Sequence, residues 1–232
     1  MKLAMLDEFN PEFPPVNEAL DEPDGLLAIG GNLYPKTLAM AYERAIFPWY
    51  TEEEPILWWS PSYRCVLMPN NFYISKSLRR ILRQNYYSVT SNKCFREVVL
   101  ACSKPRGEGG TWIGPAMVEA YSNLHQHGKA HSIEVWDKTK LVGGIYGVLV
   151  GGVFSGESMF SIINNGSKIA MAHLCQYMSS SGMVCLDCQI ENSHLTSLGA
   201  ELIPRSTFTE YLSKSTKVKF SWNFNRHSNW IW

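Results

Sequence analysis

Three strand-forming runs follow one another closely in this chain, and their order constrains the fold more than any other feature. They occupy residues 131–136, 141–150 and 153–160. A short turn at residues 137–140 joins the first two runs, which predicts an antiparallel meander. A helix at residues 115–127 precedes the meander, and a helix at residues 167–178 and a strand at residues 183–190 follow it. The predicted class is α+β, with a mostly antiparallel mixed sheet flanked by helices.

Shorter patterns predict the other elements. Residues 1–60 are rich in proline, glycine and acid, and only residues 35–46, opened by a proline, form a good helix pattern. A capping box, Thr207-x-x-Glu210, predicts a last helix. A boundary near residue 62 gives a small N-terminal domain of residues 1–62 and a larger domain of residues 63–232. Before the meander we expect strands at 65–68 and 86–90, a basic helix within 74–83, a helix from about residue 95, and a flexible loop at 104–110.

The charge of the chain is unevenly distributed. Of the 232 residues, 45% are hydrophobic, which is enough for a buried core and excludes a disordered chain or a coiled-coil rod. The net charge is zero, but residues 1–60 hold three basic and eleven acidic residues, and residues 61–232 hold 18 basic and 10 acidic residues. This split favours a polyanion as the partner of the second segment. Attraction between the two segments is the alternative.

Positive charge is concentrated in one predicted helix. Its four basic residues lie at positions i, i+3, i+4 and i+7 and share one face, while leucine and isoleucine occupy the other. No acidic residue lies among them, although a solvated helix face usually mixes both signs. The pattern favours a phosphate-contacting helix over an ordinary surface helix. The four residues are Lys76, Arg79, Arg80 and Arg83.

Polar side chains interrupt the apolar strands near the end of the predicted sheet. Asp187 and Gln189 are two residues apart, so a regular strand directs both to the same face. Glu157 lies in another predicted strand, after a glycine that leaves room for a ligand. Buried polar groups need partners, and these residues fit a structural network as well as they fit a site. Trp112 follows a glycine-rich loop and suits the stacking of a single-stranded base.

The cysteines and the hydropathy of the chain restrict its compartment and its cofactors. The six cysteines are scattered in a chain large enough to fold without disulfides, and we expect them to be reduced. The one CxxC motif has no partner motif and the histidines are poorly spaced, so no metal is expected. No apolar run reaches the roughly 18–20 residues that a membrane span needs, and acid follows the N-terminus too soon for a secretory signal. These features predict a cytoplasmic protein with no membrane partner.

Several motifs in series resemble those of one known family. They are residues 24–31 (DGLLAIGG), 46–49 (IFPW), 58–61 (WWSP), 110–113 (GTWI), 131–136 (HSIEVW), 156–160 (GESMF) and 186–189 (LDCQ). Together they are similar to the motifs of the bacterial leucyl/phenylalanyl-tRNA–protein transferases. The resemblance covers about residues 9–212, in order and without large gaps.

The resemblance implies a fold and a reaction. The small N-terminal α/β domain would precede a catalytic domain similar to the GCN5-related acetyltransferases. The reaction would transfer Leu or Phe, and sometimes Met, from aminoacyl-tRNA to the N-terminal Arg or Lys of a protein, marking it for degradation by the N-end rule pathway. Leu-tRNA and Phe-tRNA are the expected donors, no acetyl-CoA, metal or other cofactor is expected, and the protein is expected to be a monomer. The phosphate loop of the acetyltransferases is missing at residues 162–168.

The resemblance also implies roles for individual residues. Glu157 and Asp187 would receive the cationic acceptor, and Asp187 with Gln189 would form the catalytic pair, either as a base or by orienting the amine. The aromatic pair for the terminal adenosine of the tRNA would be Trp49 and Trp112. The pocket for the transferred side chain would contain Ile145, Phe154 and Leu174, and the tRNA body would contact Lys76, Arg79, Arg80 and Arg83.

Two other functions fit parts of the pattern. A CoA-dependent acetyltransferase would share the fold, but the missing phosphate loop argues against it. A non-catalytic tRNA-binding protein would need only the basic helix and the tryptophans, and Asp187→Ala would leave its activity unchanged. The transferase chemistry is physically simple, because an aminoacyl ester is already activated and needs mainly positioning, proton removal and a stabilised oxyanion.

Overall fold

The computed structural model describes residues 3–105, 111–218, 220–224 and 232, and it contains two sheets. The strands of the smaller sheet are β1 (Ala4–Leu6), β2 (Leu26–Gly30), β3 (Phe47–Pro48) and β4 (Leu57–Trp59). Their order is β1-β2-β4-β3, with β1 and β2 parallel and the other pairs antiparallel. Helix α1 (Pro35–Glu43) lies between β2 and β3 and begins at the proline expected to open it.

The larger sheet has seven strands. They are β5 (Tyr63–Leu67), β6 (Ser88–Ser91), β7 (Ala130–Asp137), β8 (Lys140–Val150), β9 (Val153–Ser161), β10 (Cys185–Gln189) and β11 (Glu201–Pro204). Their order is β11-β5-β10-β9-β8-β7-β6. The pairing of β9 with β10 is parallel, and the other five pairings are antiparallel. The predicted meander is therefore confirmed as β7-β8-β9, in a mostly antiparallel mixed sheet.

Helices cover both faces of the larger sheet. They are α2 (Lys76–Gln84), α3 (Phe95–Cys102), α4 (Pro115–Gln126), α5 (Gly166–Ser180), α6 (Ser193–Ser197) and α7 (Arg205–Ser215). Apolar residues of α1, α3, α4 and α7 share one buried cluster, and those of α2 and α5 share another. Burial of these two apolar faces holds the layers together. The α+β class predicted from the sequence is confirmed.

The first of these clusters also includes residues of the smaller sheet. Phe47 and Trp58 are fully buried in the same cluster as Tyr121 and Tyr146. The indole N–H of Trp58 donates to the carbonyl of Gly30 at 2.9 Å, so this large ring is buried with its polar group satisfied. Helix α1 packs against α4 and β8. The N-terminal segment therefore contributes directly to the surroundings of the large sheet.

Several local predictions need correction. The capping box at Thr207 is wrong, because β11 leads directly into α7 and Pro204, with a φ of −57°, is the N-cap. The N-terminal strands and β11 were not predicted, since they are short and several are bounded by proline or glycine. Helix α1 ends at Glu43, ahead of Ala45, which has a φ of 64°. In the predicted loop, residues 106–110 lie outside the described residues.

Candidate active site

A bulge in β10 sets the direction of its polar side chains. Asp187 is opposite Val66 and Gln189 is opposite Cys65, so the register shifts between them. Gln189 has a φ of 62°, and its backbone N–H donates to Asp187 Oδ1 at 2.9 Å. The carboxylate thus stabilises a left-handed backbone that side-chain-bearing residues seldom adopt. Because of the bulge, Gln189 and Leu186 line the same cavity, although regular alternation predicts opposite faces.

Asp187 is fully buried in an ion pair with Arg64 of β5. Arg64 Nε donates to Oδ1 at 2.7 Å and Nη2 donates to Oδ2 at 2.8 Å, and the two side chains are 2% and 0% exposed. Ser155 Oγ donates to Oδ2 at 2.8 Å, and the backbone of Gln189 donates to Oδ1. Each carboxylate oxygen therefore accepts two hydrogen bonds, which satisfies the charged group inside the protein.

Arg64 joins distant parts of the chain around this ion pair. Its guanidinium carbon lies 4.6 Å from the ring centre of Phe47 and 4.8 Å from that of Phe208. Its Nη1 donates to the carbonyl of Ala45 at 3.3 Å. Sequence reasoning missed Arg64, although a buried carboxylate requires a partner and an arginine within an apolar strand was an available signal.

Glu157 of β9 lies beside Asp187 and is bonded to neutral groups. Tyr121 of α4 donates its hydroxyl to Oε2 at 2.6 Å, and Gln189 Nε2 donates to Oε1 at 2.7 Å. The hydroxyls of Tyr121 and Tyr42 are 2.7 Å apart, so a chain of hydrogen bonds runs from α1 through α4 to the carboxylate. Sequence reasoning did not find either tyrosine.

Burial raises the pKa of Glu157 to about 7. The hydroxyls of Tyr121 and of Tyr42 behind it and the charge of Arg64 lower this pKa, and the charge of Asp187 raises it. Burial and the nearby carboxylate keep the pKa of Tyr121 well above its ordinary value, so its hydroxyl remains a donor at neutral pH. The carboxyl group of Glu157 is therefore able to change its charge near neutral pH.

A cavity of about 200 Å³ opens beside these groups. Glu157, Gln189 and Asn192 contribute polar atoms to its lining. Its apolar wall comes mainly from β8, β9, β10, α5 and α6 and includes Ile145, Met159, Met171, Leu186 and Leu195. The cavity therefore combines an apolar wall with a few convergent polar groups, as small-molecule sites commonly do.

The three residues expected to form the side-chain pocket occupy different positions. Ile145 lines the cavity, whereas Phe154 and Leu174 are fully buried in the apolar cluster that also contains Ile145. Phe154 is paired in register with Leu186, and its ring lies 5.4 Å from that of Trp222. Phe154 thus supports one wall residue from the neighbouring strand.

The two candidate adenosine-binding tryptophans differ in exposure. Trp49 follows β3 and is 43% exposed, with its ring 5.7 Å from that of Trp59 and at 63° to it. Trp59 Nε1 donates to the carbonyl of Trp49 at 2.7 Å, which fixes the backbone there. Trp112 lies ahead of α4, is half-buried and packs against the apolar cluster. Trp49 therefore presents the more accessible ring.

The basic helix has the arrangement that its spacing predicted. Leu78 and Leu82 are buried beneath α2, and its four basic residues Lys76, Arg79, Arg80 and Arg83 are exposed. The hydroxyl of Ser75 accepts from the backbone N–H of Leu78 and caps the first turn. Arg83 Nε donates to the carbonyl of Trp232 at 2.7 Å. The helix presents positive charge on its outer face.

Three further predictions from the sequence concern the cysteines, metal binding and membrane spans. All six cysteines are free thiols, and burial raises the pKa of Cys175 and that of Cys185 to about 12. Among the residues that the structure describes, no cluster of three or more His, Cys, Asp or Glu is arranged to hold a metal ion. Within the same residues, the helices are too short or too polar to span a membrane.

Comparison with known proteins identifies relatives over most of the chain. The family model described as leucyl/phenylalanyl-tRNA protein transferase matches residues 66–213, and the model of the N-terminal domain of that transferase matches residues 31–62. A leucyl/phenylalanyl-tRNA–protein transferase of Aromatoleum aromaticum is 51% identical over 207 residues, covering 89% of this chain and 87% of that protein. One of Photobacterium profundum is 49% identical over 210 residues, covering 90% and 89%. A solved GCN5-related N-acetyltransferase from Kribbella flavida is 9% identical with a TM-score of 0.36 over 71% of this chain and 58% of that one.

Proposed function

This chain belongs to the leucyl/phenylalanyl-tRNA–protein transferases, a family of aminoacyltransferases, and from that premise we propose which substrates it joins and how. It transfers Leu or Phe, and less often Met, from aminoacyl-tRNA to the N-terminal Arg or Lys of a protein. It acts as a monomer in the cytoplasm and marks its products for degradation by the N-end rule pathway. The observation that carries the proposal is a buried carboxylate, Glu157, at an apolar cavity.

The negative charge of this cavity supports a cationic acceptor. Glu157 lines the cavity and is free of any ion pair in the described part of the chain, so it attracts a guanidinium or an ammonium group. Asp187 contributes from behind the wall, because its ion pair with Arg64 and its bond to the Gln189 backbone fix the position of Gln189. With Nε2 of Gln189 donating to Glu157, the amide oxygen is left to accept an N–H of the attacking amine.

The apolar wall of the cavity supports a donor with an apolar side chain. Ile145 and Met171 contribute to this wall, and Met171 is flexible enough to adapt to side chains of different shape. Phe154 and Leu174 support the wall from the core, where each is fully buried. A charged donor side chain placed against these apolar residues would lose hydration, which favours Leu, Phe and Met.

The exposed ring of Trp49, the half-buried ring of Trp112 and the basic helix support binding of the rest of the donor. Trp49 and Trp112 hold the terminal adenosine by stacking, and Lys76, Arg79, Arg80 and Arg83 contact phosphates of the tRNA body. No acetyl-CoA, metal or other cofactor takes part, because the ester bond of the donor already supplies the activated acyl group. The protein contributes position, a proton acceptor and stabilisation of the oxyanion.

The proposal is tested by transfer of labelled leucine from Leu-tRNA to a model peptide without CoA. Peptides that begin with Arg or Lys should accept leucine, whereas the same peptide beginning with Ala, or with an acetylated N-terminal Arg, should not. Gln189→Ala should abolish transfer, and Lys36→Gln, an exposed change on α1, should not affect it. Transfer to the Ala peptide at the same rate contradicts the acceptor rule, and tRNA binding without transfer favours a non-catalytic protein.

A further inference from the structure

Glu157 is the acidic side chain at the cavity that still has acceptor capacity. Each of its carboxylate oxygens accepts one hydrogen bond in the structure, from Tyr121 on one side and from Gln189 on the other. A carboxylate oxygen has two lone pairs, so Glu157 is able to accept a further N–H from a group in the cavity. The residue is 8% exposed, and it belongs to the cavity lining.

Asp187 does not share this property. Both of its oxygens already accept two hydrogen bonds, and the side chain is 0% exposed. Protonating Asp187 would leave the buried guanidinium of Arg64 without its counter-charge, which is costly in a low-dielectric interior. Asp187 is therefore a poor destination for a proton from the substrate, although it fixes the backbone of Gln189.

The tyrosine chain behind Glu157 holds its carboxylate in place. Tyr42 on α1 contacts Tyr121 on α4, and Tyr121 donates to the carboxylate, so the two helices orient one oxygen of Glu157 from the core. The other oxygen meets the amide of Gln189 at the cavity. This arrangement fixes a proton acceptor before the substrate arrives, as efficient proton transfer requires.

We infer, on the basis of the proposed function, that Glu157 accepts the proton that the acceptor's α-amino group loses as it attacks the ester, with Tyr121 and Tyr42 as positioning residues. The neutral amine attacks the ester carbonyl carbon, its lone pair forms the new C–N bond, and the π electrons of the carbonyl move onto its oxygen as an oxyanion that re-forms the C=O bond when the leaving group departs. One proton of the resulting ammonium passes to Glu157. The C–O bond to the terminal ribose then breaks, and the ribose oxygen leaves as a hydroxyl after taking the proton back from Glu157.

The charged and titratable groups around Glu157 set the pH at which its carboxyl group becomes ionised and able to accept a proton. Burial raises its pKa to about 7, the hydroxyls of Tyr121 and of Tyr42 behind it and the charge of Arg64 hold this pKa down, and the charge of Asp187 raises it. Tyr146 on β8 completes the surroundings, and its hydroxyl has no hydrogen-bond partner in the described part of the chain. Since the base must be ionised to accept a proton, the transfer rate should rise with pH through this pKa. Removing Tyr121's hydroxyl should shift the rise to higher pH.

The experiment measures leucine transfer to an Arg peptide as a function of pH, in single turnovers and at saturating acceptor. Glu157→Gln keeps the shape of the side chain and should lower the maximal rate about 100-fold or more, the usual loss for a general base. Tyr121→Phe should move the midpoint of the pH profile upward, so that activity falls several-fold at neutral pH and recovers at alkaline pH. Tyr146→Phe is the matched control, and it should leave the midpoint unchanged because its hydroxyl is not bonded to Glu157.

The outcomes separate this inference from the proposed function. The α-amino group of the peptide titrates at a pKa of about 8 and gives a rise of its own, but Tyr121→Phe does not change the peptide. Glu157→Gln with a normal maximal rate and a raised KM would assign Glu157 to acceptor binding alone and overturn the inference. An unmoved midpoint in Tyr121→Phe, with melting temperature intact, would also overturn it. Wild-type protein that transfers no leucine at any pH would instead refute the proposed function.

Discussion

The Arg64–Asp187 ion pair gives the sharpest prediction about stability. Asp187→Asn preserves the size of the side chain but removes the only charge that compensates the guanidinium among the described residues within hydrogen-bond reach of it. Arg64 is 2% exposed and lies between two aromatic rings, so it has no route to water. In Asp187→Asn one of the two carboxylate oxygens is replaced by an NH₂ group. Both oxygens of Asp187 accept hydrogen bonds, so the NH₂ group would point at donors and could not accept from them.

The expected magnitude follows from this burial. Removing one partner of a buried pair costs about 3–5 kcal/mol, because the remaining charge is left uncompensated. For a protein of this size, about 2–4 °C of melting temperature is lost per kcal/mol, so Asp187→Asn should lower the melting temperature by about 6–20 °C. The exposed pair Arg96–Glu119 provides a matched control, since its side chains are 55% and 61% exposed at an N–O distance of 3.0 Å. Glu119→Gln should cost less than about 1 kcal/mol.

Thermal and urea unfolding of a double variant test the reasoning further. Arg64→Met together with Asp187→Asn removes both charges and places a thioether between the rings of Phe47 and Phe208, a favourable contact for sulfur. The double variant should therefore be more stable than Asp187→Asn alone. Two results would contradict this reasoning. One is a melting temperature of Asp187→Asn as high as that of Glu119→Gln. The other is additivity of the unfolding free-energy losses of Arg64→Met and Asp187→Asn, because two residues that compensate each other's charge should not act independently.

Three further predictions concern other parts of the chain. Arg80→Gln should weaken tRNA binding and lower the slope of log affinity against log salt by about 1, while Lys36→Gln changes neither, as measured by titrations at several salt concentrations. Burial lowers the pKa of His131 to about 4, below its value of 6.5 in the unfolded chain, so the unfolded state binds a proton first as the pH falls. Acidification from pH 6.5 to 4 should therefore lower the unfolding free energy by about 3 kcal/mol, at about 1.4 kcal/mol per pKa unit. His131→Phe should abolish that slope in urea unfolding, and exposed His127→Gln should keep it. Gly147→Ala should lower the melting temperature, at a cost of about 1–3 kcal/mol, because its Cβ would overlap a backbone carbonyl of β9.

Patterns that depend on neighbours in sequence predicted the structure well. The meander and the basic helix were predicted because their signals are local, namely strand alternation with short turns and four charges at helical spacing. The strands of the smaller sheet were not predicted, because β3 has only two residues and β1 and β4 have three. Such strands acquire their conformation from pairing with distant segments, and a single segment carries little of that information.

The candidate site depends on contacts that the sequence does not place side by side. Asp187 and Gln189 were noticed because polar residues stand out in an apolar strand, but Arg64 is 123 positions away from its partner Asp187. Tyr121 and Glu157 are 36 positions apart, and Tyr121 is 79 positions from Tyr42. The bulge in β10 also defeats simple alternation, because one inserted residue redirects a side chain.

The separation of charge along the chain has a consequence for how a polyanion approaches. The three described ion pairs all join residues beyond position 60, so within the described residues none links the acidic segment to the basic one. All eleven acidic residues of segment 1–60 are exposed. Among these residues the opposed charges therefore form no close ion pair between the segments, and the attraction that remains acts at longer range, as between Arg205 and the carboxylates of Asp24 and Asp21. Phosphates are repelled from the acidic surface and attracted to α2, so in the complex that we propose the tRNA body lies on the α2 side and only its terminal nucleotide reaches Trp49.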